Sequence, residues 1–495
     1  MSDVTLDATS APDPSSESET AEGADAVSRE HLIVIIVLIV ASFVVILNET
    51  VMSVAIPVLQ VELGVPPSSG QWLTTAFMLT MGVVIPLTGF LIQRVPTRTL
   101  FIAAMFLFTT GTLIAFVAPG FEVLLVARVV QASGTAIMLP LLMTTIMTVV
   151  APARRGAMMG SVSLVIAVAP ALGPTLSGIV LDHLGWRWIF GLVAPIAIVA
   201  LVVGARFIVS VAESTDARID LLSVPLAILG FGGLVYTLVA LGKSAESGSQ
   251  VPLWVPAVIG GVAMVSFVWR QLVLQRTDRA LLDLRVFSAG QFTLAMMAMI
   301  LGMMTMFGTF ILIPYFAQQV LEYGPMKTGL LSLPGGLLMG LAGPLVGHIY
   351  DARGPRVLIV PGTLLVSAGV WALTVIDAET PMWWLLVANT VIFAGLAATF
   401  TPLMTSGLGS VPAHLYSHGS AVVGTFQQVA GAAGTALLVT VMTIVAARST
   451  DGGATQAQGI TDGVQSAFTI SAVLSILLIA VAFWVRKPAD APATH

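Results

Sequence analysis

Two charged residues inside otherwise apolar stretches carry the chemistry this chain could do. Glu49 follows Asn48 in L-N-E-T-V-M-S-V-A-I-P (residues 47–57), at the end of an apolar run that begins at Leu32. Arg128 lies in L-L-V-A-R-V-V-Q-A-S-G (residues 124–134). A charge at the centre of a bilayer costs roughly 2.5–3.5 kcal/mol on insertion scales, so a residue of this kind is a functional candidate. At 1.5 Å per residue, Glu49 lies about 12 Å from the Pro57 end of its run and Arg128 about 9 Å from Glu122, so the two are expected at similar depth. A carboxyl in that position can exchange a proton, form a structural ion pair or touch a solute, and all three readings stand open. Gln131, Ala132 and Thr135 share a face with Arg128 by their i, i+3, i+4, i+7 spacing. Glu49 shares a mildly polar face with Ser42, Val45, Met52, Ser53 and Ile56.

The elements that must position these residues are membrane spans. Hydrophobic residues make up 57% of the 495 and charged residues 9%, where a soluble chain carries about 25% charge. Fourteen apolar runs are long enough to cross a bilayer as helices. They cover approximately 32–57, 71–93, 99–118, 122–150, 156–181, 188–211, 220–242, 252–273, 290–316, 327–350, 356–376, 382–406, 419–446 and 466–485. The fold class expected is an all-α polytopic membrane protein. With a cytoplasmic N-terminus, fifteen of the twenty Lys and Arg fall in inside segments, four fall outside, and Arg128 alone lies within a span. That asymmetry predicts both termini inside and an even number of spans.

Residues 1–31, with eight acids and one arginine, read as a disordered cytoplasmic tail, and 486–495 as a second short tail. There is no cysteine, which excludes disulfides, thiolate metal sites and cysteine nucleophiles. The six histidines are scattered. Neither a catalytic cluster nor a metal site is expected, nor is a soluble output domain of the kind a sensor carries.

A weak repeat divides the chain. Gly89-F-L-I-Q-Arg94-V-P-T-Arg98 returns as Gly347-H-I-Y-Asp351-A-Arg353-Gly354-P-Arg356, 258 residues on, and Arg128…Gly134 returns as Asn389…Gly395 after 261. Six spans with short loops occupy roughly 190 residues. The excess fits two added helices. The expected plan is a six-helix bundle over 32–211, two inserted helices and a linker over 212–289, and a second bundle over 290–485. Repeats of this kind place a transport site between the halves. The arginines of the two loops can cap helix C-termini or pair with acids.

The second-half loop resembles the gating motif G-x-x-x-D-x-x-G-x-R of the major facilitator superfamily. The first-half copy departs from it, with Gln93 for the acid and Pro96 for a glycine. Arg128 to Ala132 resembles the family's R-x-x-q-G. Ala169-P-A-L-Gly173-Pro174-T-L-Ser177-Gly178 resembles the antiporter motif g-x-x-x-G-P-x-x-G-G. The opening stretch resembles L-D-x-T-x-x-x-V-A-L-P of the fourteen-helix drug:proton antiporters, with Asn48 where those carry the acid. Glu49, one residue on, is turned about 100° around the helix. The resemblance covers 32–485. It implies neighbouring first and fourth helices, hence a Glu49–Arg128 pair, direct or bridged by Asn48, Gln131 or water. It further implies export of amphipathic, cationic drugs in exchange for protons across the cytoplasmic membrane; the alternative is a dedicated exporter of a lipid or metabolite.

Two further stretches are candidates for contact with substrate. Six methionines fall within 296–306, and methionine suits adaptable surfaces; Met299, Met303 and Met306 are expected at the cavity, against the alternative of lipid or core contact. Gln427 and Gln428 can bond across helices or to substrate. The tryptophans at 72, 186, 188, 254 and 384 are expected as interfacial anchors. The partners expected are small amphipathic substrates, protons and the lipid bilayer. No nucleic acid and no cofactor are expected, the proton gradient is the energy source, and the chain is expected as a monomer.

Overall fold

The structure, a computed structural model, describes residues 29–149, 169, 172–208, 220, 222–247, 252–277, 280–412 and 415–486. Among them there are helices and no strand, as lipid demands of a chain that must satisfy its own backbone. Besides the single turn Pro67–Gly70 and two short 3-10 segments, they are in order α1 (Arg29–Thr50), α2 (Met52–Leu63), α3 (Trp72–Arg94), α4 (Thr97–Val117), α5 (Phe121–Val149), α6 (172–184), α7 (Arg187–Phe207), α8 (Ser223–Ser247), α9 (Trp254–Leu274), α10 (Gly290–Gln319), α11 (Pro325–Arg353), α12 (Arg356–Leu373), α13 (Met382–Gly409), α14 (Tyr416–Asp451) and α15 (Gln456–Ala482). Twelve helices among the described residues are long and apolar enough to cross a membrane. Of the other two runs, 220–242 forms α8, whose apolar part is the shorter Ser223–Leu238, and 156–181 lies largely outside the described residues.

Several boundaries differ from the sequence reading. The first run does not stop at Pro57. Only Val51 separates α1 from α2, and its N–H still bonds the Leu47 carbonyl, so helical backbone continues to Leu63. There Gly64 takes φ +63° and caps the end. α15 starts ten residues before the expected 466, at a capping box in which the Thr455 hydroxyl and the Gln458 side chain each accept from the other residue's N–H.

The contacts repeat between the two ends of the chain. The neighbours α1–α5, α1–α7, α3–α5, α4–α5 and α4–α7 return as α10–α13, α10–α15, α11–α13, α12–α13 and α12–α15. The individual bonds repeat too. Arg98 donates to the Ala205 carbonyl at the end of α7, and Arg356 to the Phe483 and Val485 carbonyls beyond α15; both answer the exposed carbonyls of a helix C-terminus. Gly134 lies so close to α4 that a Cβ would stand 2.3 Å from the Ala104 carbonyl, and at Gly395 it would stand 2.4 Å from that of Gly362 on α12.

The first set of helices meets the second through α2–α10, α2–α11 and α3–α14. α8 lies on the α3–α14 join. Tyr236 meets Trp72 of α3 with ring centroids 5.9 Å apart, and the Leu238 carbonyl accepts from Thr440 of α14 at 2.9 Å. α9 packs on α8 and exposes Val262, Val265 and Trp269. Arg270 and Asp220 tie this pair together, with Nε to Oδ2 at 2.7 Å. That bond, chiefly, holds the Asp220 carboxyl down to about 2. Buried Gln271 anchors the linker by accepting from the Leu281 and Leu282 N–H groups. One expected interfacial anchor is misplaced: Trp186 is buried beneath the Arg187 guanidinium, 4.2 Å from its ring.

Candidate functional site

Arg128 comes from α5 and is wholly buried. Its Nη1 donates to Asn48 Oδ1 of α1 at 3.0 Å and to Gln131 Oε1 one turn on at 2.6 Å. Its Nε donates to the Leu73 carbonyl of α3 at 3.3 Å. The Phe77 ring lies beneath the guanidinium at 4.0 Å, a cation–π contact that strengthens when both groups are dry. Gln131 in turn donates to Thr112 of α4 at 2.8 Å, and Thr112 to the Phe108 carbonyl at 2.7 Å. Three helices therefore meet at one guanidinium, and a fourth, α4, holds Gln131.

Glu49 is half-buried beside this set. It faces Arg128 without a direct ion pair and lies beside the Gln428 side chain of α14. One carboxyl thus answers to a cation in the first bundle and an amide in the second. Asn48, a turn of 100° away, takes the direct bond to the arginine instead. The Asn48 Nδ2, Arg128 Nη2 and Gln428 Oε1 atoms are buried without a protein partner.

The small-residue stretch before Trp186 brings the bundles together. A Cβ on Gly173 would stand 2.1 Å from Thr50 Oγ1. One on Gly178 would stand 2.4 Å from the Pro325 carbonyl, and one on Gly329 the same distance from the Pro174 carbonyl. The Thr175 hydroxyl donates to the Gly329 carbonyl at 3.2 Å. Gly173 thus seats α6 on α1, while Pro174 and Gly178 form a close join with α11 that Gly178 and Gly329 permit by lacking side chains.

Near the Gly64 end the bundles leave a small cleft lined by Ile56, Gln60, Pro67, Gln71, Ile311, Leu312, Tyr315, Val439 and Met442. The residues expected to contact substrate lie elsewhere. Ser42 and Met52 are fully buried; Ser53 is buried and donates to the Thr50 carbonyl. Met299 and Met303 are buried, Met306 packs against the same apolar core, and Met297 is exposed. Gln427 and Gln428 are half-buried. At the opposite end of the bundles, Gly89 and Arg94 close α3, Gly347 and Arg353 fall in the last turns of α11, and Gly354 takes φ +78° as its cap. The side chains of Gln93 and Asp351 lie outside the described set.

Phe77, Thr112, the Leu73 carbonyl, Gln60 and Gln71 were not anticipated. They come from other helices than the charges they serve, and the only trace in the sequence is that Gln60 and Gln71 are amides flanking the turn at Gly64.

Residues 38–435 match the family described as Major Facilitator Superfamily. A lincomycin resistance protein of Listeria monocytogenes is 37% identical over 454 residues, covering 91% of this chain and 95% of that one. A lincomycin resistance protein of Bacillus subtilis is 35% identical, covering 92% and 95%, and a puromycin resistance protein of Streptomyces alboniger 32%, covering 91% and 90%. A crystal structure of a peptide transporter in complex with sulfate superposes with a TM-score of 0.67 at 16% identity, over 92% of this chain and 95% of that one, which is a likeness of fold.

Proposed function

Because this chain belongs to the major facilitator superfamily, we propose that it exports amphipathic, chiefly cationic, drugs across the cell membrane in exchange for protons. It is a transporter and not an enzyme. Relatives named for lincomycin and puromycin resistance match nearly its whole length, which supports drug efflux. Fourteen spans in a six, two, six arrangement, with both termini cytoplasmic, fit the repeated helix pairings and the distribution of Lys and Arg. α8 and α9 then stand outside the transport path.

The observation that carries the coupling is the position of Glu49 between Arg128 of one bundle and Gln428 of the other. When the bundles rock, the surroundings of Glu49 change, and so does its affinity for a proton. A ligand biases only states that bind it unequally. A cationic substrate in the same space favours the ionised carboxylate and drives the proton off. A proton moving inward down about 100 mV supplies roughly 2.3 kcal/mol, which sustains about a 40-fold gradient of substrate.

Substrate-induced proton release from the purified protein tests this reading. Release from wild type and none from Glu49→Gln is the expected result. Equal release from both overturns it.

A further inference from the structure

We propose that protons reach Glu49 along a file of water molecules that begins in the cleft at the Gly64 end and runs inward between α2 and α3. This rests on Glu49 being the proton carrier. The starting point is Gln71, which lines the cleft and is fully buried, yet neither its amide oxygen nor its nitrogen has a protein partner. Buried polar atoms of native proteins are paired, and where protein does not supply the partner, ordered water does. Gln60 lines the same cleft and is seated against Gly70, the residue next to Gln71.

Two polar stripes lead from this space to the charges. On α2 and the end of α1, Gln60, Ile56, Ser53 and Glu49 recur at intervals of three or four and share a face. Gln60 and Ile56 line the cleft, and Glu49 lies about 16 Å along the axis from Gln60. On α3, Gln71, Thr74 and Thr75 share a face, and both threonine hydroxyls are buried without a partner. The same turn supplies the Leu73 carbonyl that holds Arg128 Nε. The stripe therefore ends at Arg128 Nη2 and Asn48 Nδ2, which also lack partners. The charged group facing Glu49 at that end is Arg128, with Gln428 beside it.

The chemistry needs no group beyond these. A hydronium in the cleft passes a proton to the next water, which releases another of its own, and so along the file. Threonine hydroxyls accept and donate in the same way. The glutamine amides hold water without taking the proton. The net change is one O–H bond lost at the cleft and one formed on the Glu49 carboxylate.

The chain has no cysteine, so single cysteines can be read directly on the full-length protein in proteoliposomes. The probe is 2-hydroxyethyl methanethiosulfonate, small, neutral and water-borne. Cysteines at Gln71, Thr74 and Thr75 are expected to react at least tenfold faster than cysteines at Leu38 and Phe108, which are equally buried in an apolar core of the first bundle. Equal slow reaction at all five overturns the path. In the second arm, Gln71→Leu combined with Thr75→Val is expected to slow substrate-driven proton release about tenfold with substrate Kd unchanged, and Thr75→Ser to retain the wild-type rate. Wild-type release from the double variant also overturns the path. Fast labelling together with normal release from Glu49→Gln overturns the carrier instead. Slow labelling with release abolished in Glu49→Gln overturns the path and keeps the carrier.

Discussion

Arg128 and Asn389 make the same bond at corresponding places in the two bundles. Arg128 Nε donates to the Leu73 carbonyl at 3.3 Å, and Asn389 Nδ2 to the Leu331 carbonyl at 3.1 Å. The donors are 261 residues apart and the acceptors 258, the two offsets found in the sequence repeat. The shared bond joins the second and fourth helices of each bundle. Only the first bundle adds a charge, a stacked ring and two further acceptors.

That difference predicts unequal mutants. Arg128→Lys keeps the charge but loses the planar fork, and is expected to lower substrate-driven proton release more than tenfold. Asn389→Ala removes one hydrogen bond, about 1 kcal/mol, and is expected to lower Tm slightly with proton release intact. Both are read by thermal unfolding in detergent beside the release assay; equal functional loss in the two would contradict the asymmetry.

Gly329→Ala places a methyl against the Pro174 carbonyl, which has no side-chain freedom to yield. The α6–α11 join is expected to open, with drug export severalfold lower and a cysteine at Thr175 labelled faster than in wild type. Unchanged labelling would show that the join tolerates the methyl.

The two basic loops should also differ. Asp351→Asn is expected to slow transport severalfold, because the second loop keeps its acid, while Gln93→Ala is expected to be mild. Transport in vesicles of both variants checks this, and matching losses would refute it.

Asp220 gives the pH prediction. Its carboxyl is held down to about 2, chiefly by the bond from Arg270, below an unfolded value of about 3.9. Its contribution is therefore full above about pH 4 and fades as pH falls through 2. Asp220→Asn is expected to cost about 1 kcal/mol at pH 7 and almost nothing at pH 2, seen as Tm curves for wild type and variant that converge in acid.

What the sequence made legible follows from distance along the chain. The Arg128–Gln131 bond spans one helical turn, so spacing alone anticipates it. Asn48 was expected only as a bridge between Glu49 and Arg128, from their depth and from the resemblance that makes the first and fourth helices neighbours; it bonds Arg128 itself. Phe77, Thr112 and the Leu73 carbonyl belong to other helices, and no periodicity places them beneath Arg128. The start of α15 was legible and still missed, because the Thr455 and Gln458 cap lies in a polar stretch, D-G-G-A-T-Q-A-Q-G-I-T-D-G, that reads as a loop. Trp186 was misread because Arg187, its neighbour, folds over the ring and removes it from the interface.

The bilayer meets the two joins between the bundles on unequal footing. Where α3 runs beside α14, α8 stands between that join and the lipid, tied to both sides by Tyr236 and Leu238. Where α6 meets α11, at Gly178 and Gly329, no inserted helix stands over the described residues. A molecule dissolved among the acyl chains therefore meets the side of α8 on one flank, and on the other the bare seam of α6 and α11, closed by glycine alone.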